Sequence, residues 1–152
     1  MTFVEPVASA SGRRLGDAGA PSPAALVRRV PAEPGEIAGV RNAVVTLAEE
    51  QGMAETARAD VALAVGEACT NVVMHAYIDD PAPGCLTVEA SHQDGALVVA
   101  VRDDGRGMLS RTDSPGMGLG LPLIGRLAHR VEIGQNGAHG TEVRLTFLAA
   151  EQ

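Results

Sequence analysis

The run from residue 85 to residue 103 constrains the fold more than any other. "CLTVEASH" and "ALVVAVRD" are strand-like segments, and only "QDG" separates them. An Asp-Gly pair suits a tight reversal, so the two segments are expected to pair as an antiparallel hairpin. Side chains alternate across a strand, which puts Leu97, Val99, Val101 and Asp103 on one face. The first three make that face a core surface. Asp103 prolongs the same row, whereas Asp104 joins Arg102 on the other. A carboxylate on the core-facing side needs a donor to accept from.

Helical patterns flank this hairpin. "EPGEIAGVRNAVVTLAEEQG" carries Ile37, Val40, Val44 and Leu47 at helical spacing, with Gly52 placed to end the helix. A second helix is expected from about 55 to 77, closed by "DDPAPG" as a loop. "LVRRV", 26 to 30, reads as an edge strand, and residues 105 to 118, with Gly, Ser and Pro, as a mobile segment. "LGLPLIGRLAHR" reads as a third helix, with Pro122 tolerable only in its first turn. "VEIGQ", a turn around Asn136-Gly137, and "GTEVRLTFL" form a closing hairpin. The order β-α-α-β-β-α-β-β predicts an α+β fold: a two-layer α/β sandwich whose mixed, mostly antiparallel sheet has helices on one face. Residues 1–24 are expected to be a flexible tail and 25–150 one domain.

Composition removes several function classes. A formal charge of −7 without a basic run argues against a nucleic-acid partner. No apolar run approaches the roughly 20 residues of a membrane span, and no charged start precedes an apolar core. A soluble, cytoplasmic protein with no membrane partner is therefore expected. All 12 basic residues are arginine. Without lysine, a Walker-A loop, the ordinary protein-kinase fold and Schiff-base chemistry are excluded. Cys69 and Cys85 lack metal-ligand spacing and read as small buried residues.

Four polar markers punctuate the apolar segments. "VALAVGEACTNVVMHAY" sets Glu67 and Asn71 four residues apart, about 40° apart on one helical face, and His75 continues the stripe. "DDGRG" follows the Asp103 row with Gly105 and Gly107, which permit close backbone approach and unusual dihedrals. "GMGLGLP" runs glycines into a helix start, where unpaired N–H groups can meet an anion. In "GTEVRLTF", Thr141, Val143, Leu145 and Phe147 share a strand face, so Thr141 is a hydroxyl at the end of an apolar row. Each marker alone has a structural explanation. Their ordered combination, E-x-x-x-N, D-x-G-x-G, G-x-G-L-G-L and G-T, is more specific.

Over residues 26 to 148 this set resembles the bacterial anti-sigma-factor serine kinases. Those belong to the histidine-kinase-like ATPase superfamily with the Bergerat ATP-binding fold, and "GEACTNVVMHAY" is similar to the family's N-box. The resemblance implies ATP and Mg2+. Asn71 would ligate the metal, and Glu67 would be the general base taking the proton of an attacking hydroxyl. Asp103 would accept from the adenine amino group, with Thr141 supporting the same base edge. Gly105 and Gly107 would let the chain bend around the nucleotide. Gly116, Gly118, Leu119, Gly120 and Leu121 would wrap the phosphates, and His75 would approach them. The intervening segment acts as a lid in this superfamily, and Arg106 and Arg111 are candidates to stabilise γ-phosphate charge. Pro122 departs from the family pattern by removing a donor at the helix start.

The implied reaction is transfer of the ATP γ-phosphoryl to a Ser or Thr of an anti-sigma-factor antagonist. A sigma factor would be held alternatively, and the protein would act as a homodimer. An ATP-dependent sequestering module without kinase activity is the alternative; it would have no need of Glu67. A detached histidine-kinase ATPase domain fits less well, because residues 1–24 contain no histidine to accept a phosphoryl group.

Overall fold

A computed structural model describes residues 25–77, 84–105, 117–137 and 139–148. Strand β1 (Leu26–Pro31) leads into helix α1 (Pro34–Glu50) and helix α2 (Glu55–Asn71), which continues as a π-helical turn over Val72–Ala76. Strands β2 (Cys85–Gln93) and β3 (Ala96–Asp103) follow, then helix α3 (Met117–Leu127) and strands β4 (Arg130–Asn136) and β5 (Gly140–Leu148). The five strands form one sheet in the order β1-β2-β3-β5-β4. All four pairings are antiparallel, the extreme of the mostly antiparallel sheet expected. The protein has the histidine-kinase-like ATPase fold.

Local chemistry explains the elements. Pro34 lies at the start of α1, where its missing N–H costs nothing, and Glu36 faces the positive end of the helix dipole. Gly52, with φ +83°, ends that helix as the sequence requires. Its N–H donates to the Glu49 carbonyl at 3.0 Å while the Met53 N–H reaches Ala48 at 3.1 Å, a Schellman cap. Asp94 (φ 46°) and Gly95 (φ 80°) both adopt positive angles, which twists the β2–β3 reversal to match its strands.

The core lies between sheet and helices. Leu97, Val99, Val101 and Asp103 of β3 pair residue for residue with Phe147, Leu145, Val143 and Thr141 of β5, and all eight are buried. Val40 and Val44 of α1, and Val61, Ala64, Val65, Ala68 and Cys69 of α2, cover them. Small residues let α2 lie close between α1 and α3, over β3 and β5. The opposite sheet face carries a charged row instead. Arg102 reaches Glu89 at 3.1 Å and Glu142 at 3.3 Å, and Arg144 reaches Glu142 at 2.8 Å. Among the described residues no helix is long and apolar enough to cross a membrane.

Two features differ from the sequence expectation. Helix α3 begins at Met117, so Pro122 falls in its second turn rather than its first. The carbonyl that its absent N–H would have bonded is that of Gly118. The helix of residues 55–77 also changes character at Asn71, where α-helical bonding gives way to a wider π turn. Just before it, the Thr70 hydroxyl donates to the Gly66 carbonyl at 2.8 Å, a back-bond that bends helices.

Candidate functional site

The candidate site gathers where the C-terminal end of α2 meets the ends of β3 and β5. Asp103 is its best-defined group. The alternation of β3 carries it onto the core face, and only 1% of it is exposed. Its Oδ1 accepts from the Gly105 N–H at 3.0 Å. Its buried Oδ2 has no hydrogen-bond partner among the described residues. Burial raises the Asp103 pKa to about 6, against the pull of the Gly105 and Thr141 N–H groups, and the nearby Asp104 charge adds to the rise. An acceptor-only oxygen without a partner among the described residues, at the end of an apolar row, suits a ligand that brings its own N–H donor.

The backbone around Asp103 is packed without room for side chains. A Cβ at Gly105 would strike the Ala76 carbonyl, and one at Gly140 would strike the Asp103 carbonyl. These glycines therefore let the strand ends rest on the helix and on each other. For Gly105 this close approach, rather than an unusual dihedral, is what the position demands. Asn136 adds a side-chain bond, its Nδ2 donating to the Asp103 carbonyl at 2.8 Å. Thr141, opposite Asp103 in the ladder, is 1% exposed.

On α2, Asn71 is the last α-helical residue and is 4% exposed, while Glu67 one turn earlier is half-buried. His75 is half-buried within the π turn. The stripe of the three is thus retained as far as Asn71, beyond which the wider turn displaces His75 from simple α-helical spacing. Tyr77 follows. Its hydroxyl lies 2.5 Å from Asp104 Oδ1 and 2.7 Å from the Cys85 carbonyl, and it accepts from the Asp104 N–H at 2.9 Å. Asp104, expected beside Arg102, instead lies past the end of β3 and turns to this phenol.

Gly118, Leu119, Gly120 and Leu121 form the first turns of α3 rather than a loop ahead of it. The first four N–H groups of that helix are without intrahelical acceptors, as anion binding at a helix start requires. The Leu121 side chain packs against the core. Gly107, Gly116, Arg106 and Arg111 lie outside the described residues. Among the described residues no three His, Cys, Asp or Glu side chains converge as a metal cage.

Sequence reasoning missed Tyr77, Asn136 and Gly140 as parts of this site. Gly140 stood in plain view in the G-T marker. The contacts of the other two are made across 27 and 33 residues of chain, which no local pattern announces.

Comparison with known proteins agrees with this architecture. Residues 30–147 match the family model described as the histidine kinase-like ATPase domain. The serine-protein kinase RsbW of Bacillus mycoides is 29% identical across 69% of this chain and 74% of its own length. The anti-sigma F factor of Caldanaerobacter subterraneus is 28% identical across 58% of this chain and 68% of its own. A crystal structure of the RsbU and RsbW domains of a Mycobacterium tuberculosis protein superposes on 88% of this chain with TM-score 0.66 and 28% identity. This chain spans 34% of that larger one. The histidine kinase domain of a blue-light activated kinase from Erythrobacter litoralis, with TM-score 0.57 and 24% identity, shares the fold. With the family model spanning most of its length and the same fold in the solved structures, this chain belongs to the histidine kinase-like ATPase domain family.

Proposed function

We propose that this protein is an ATP-dependent serine/threonine kinase of the anti-sigma-factor type, which phosphorylates an antagonist protein and so controls which partner it holds. The observation that carries the reading is the buried Asp103 carboxylate, one oxygen of which has no partner among the described residues, on a segment whose Gly105 packs against the turn that ends the helix of Glu67 and Asn71. The RsbW and anti-sigma F factor relatives support the substrate class.

Asp103 would accept from the exocyclic amino group of adenine, with Thr141 beside it on the same base edge. The N–H groups at the start of α3 would meet the phosphates, with Gly118 and Gly120 admitting close approach. Asn71 would offer its amide oxygen to Mg2+, which when bound offsets phosphate charge while keeping most of its water. The buried Asn71 amide oxygen is a hard donor of the kind that ion takes. Glu67 would take the proton of the acceptor hydroxyl as its oxygen bonds the γ-phosphorus. The bond from that phosphorus to the β-phosphate oxygen breaks, and ADP leaves.

Incubation with labelled ATP and a candidate antagonist tests the reading. Label should pass to a serine or threonine of the antagonist, and Glu67→Ala should slow transfer by about 10²- to 10⁴-fold. ATP binding without transfer to any antagonist would instead identify a sequestering module.

A further inference from the structure

The Tyr77 phenol occupies a singular place. It follows the π turn at the end of the helix that carries Glu67, Asn71 and His75, and it touches the segment that carries Asp103. Its ring is flanked by two glycines. A Cβ on Gly84 would collide with the ring, and one on Gly105 would come within 2.7 Å of Tyr77 Cε1. The hydroxyl has one proton to give, and Asp104 Oδ1 and the Cys85 carbonyl compete for it. Burial and the hydrogen bond to Asp104 both raise the phenol's pKa above its ordinary value, so it remains the donor. In return the oxygen accepts the Asp104 N–H.

We infer that Tyr77 is a positioning residue for base selectivity: it fixes the Asp103–Asp104–Gly105 segment to the end of α2, so that Asp103 meets an amino-bearing base. The inference rests on the adenine-nucleotide reading above. Four bonds hold this short segment: Tyr77 O–H to Asp104 Oδ1, Asp104 N–H to Tyr77, Gly105 N–H to Asp103 Oδ1, and Asn136 Nδ2 to the Asp103 carbonyl. They leave Asp103 Oδ2, which has no partner among the described residues, as the oxygen to meet a ligand. A held carboxylate accepts from the adenine amino group and repels the carbonyl oxygen that guanine presents there. A carboxylate free to swing would discriminate less. The latch also spans the site, because the same phenol ties the base end to the helix of the proposed metal and base residues.

Calorimetry of the full chain with Mg2+ and either ATP or GTP, on wild type, Tyr77→Phe, Asp104→Ala and Asp103→Asn, tests this. Tyr77→Phe keeps the ring between the glycines and removes the oxygen. It should weaken ATP binding about tenfold and narrow the ATP-to-GTP affinity ratio by a similar factor, with circular dichroism unchanged. Should Tyr77→Phe fail to fold, Asp104→Ala, which removes the acceptor from an exposed position, should narrow the ratio likewise. An equal loss for both nucleotides, or a wild-type ratio in the folded variants while Asp103→Asn loses it, would overturn the latch and leave the nucleotide reading intact. Wild type that binds neither nucleotide would overturn that reading itself.

Discussion

Asp103 and Thr141 stand directly opposite each other across β3 and β5, both buried, at the end of two apolar rows that pair residue for residue. The ladder that builds the core thus delivers a carboxylate and a hydroxyl to one spot. The sheet does two things with one register, holding the helices along its length and presenting polar groups at its end.

The Asp103 carboxyl predicts opposite pH dependences for stability and for ligand affinity. Its folded pKa is about 6 against a reference of 3.8. Between those values the folded state binds more protons than the unfolded one, so this group's contribution to stability is lost as pH rises through about 6. The full difference is about 3 kcal/mol at most. Urea unfolding should find Asp103→Asn more stable than wild type at pH 8, with the gap closing towards pH 5. ATP affinity, which on the proposed reading uses the ionised Asp103 as acceptor, should fall over the same range as pH drops. The Asp104 charge beside it contributes to the rise at Asp103, after burial.

Glycine substitutions should divide by location. Gly140→Ala drives a methyl into the Asp103 carbonyl and Gly105→Ala drives one into the Ala76 carbonyl, both backbone atoms with little freedom to yield. Each should cost about 1–3 kcal/mol by denaturant unfolding, and more than that share of nucleotide affinity. An unchanged unfolding midpoint would show that the strand ends are looser than described.

Gly39 and Gly125 offer the contrast. Both lie in helices, and a Cβ at either meets nothing within 4 Å. Alanine at each should raise stability by about 0.4–1 kcal/mol, read as a higher melting temperature, by restricting the unfolded chain and favouring the helix.

Gly52→Ala should behave differently again. The space there is open, yet φ is +83°, so the strain is in the backbone. A loss of about 1–2 kcal/mol is expected from chirality alone.

Much of this fold was legible because its signals are local. Alternation placed Asp103 with Val101 and Thr141 with Val143, and the Asp94-Gly95 pair fixed the hairpin. Helical spacing found the core face of α1 through Val40, Val44 and Leu47. What was not legible depends on distant contact or on hydrogen-bond geometry. The switch from α to π bonding after Asn71 leaves the apolar pattern unaltered, so no periodicity reveals it. The early start of α3 puts a proline inside a helix, against its intrinsic preference. Tyr77 reads as an ordinary helix-end aromatic until the Asp104 segment is folded against it.

Isothermal titration of the wild-type protein and of Asp103→Ala with ATP in the presence of Mg2+ probes the nucleotide site most directly. Wild type should bind one ATP per chain, and the substitution should weaken binding at least tenfold, since it deletes the only acceptor proposed for the adenine amino group. Absence of heat with wild type, or equal affinity in the two proteins, would contradict the placement of the base at Asp103.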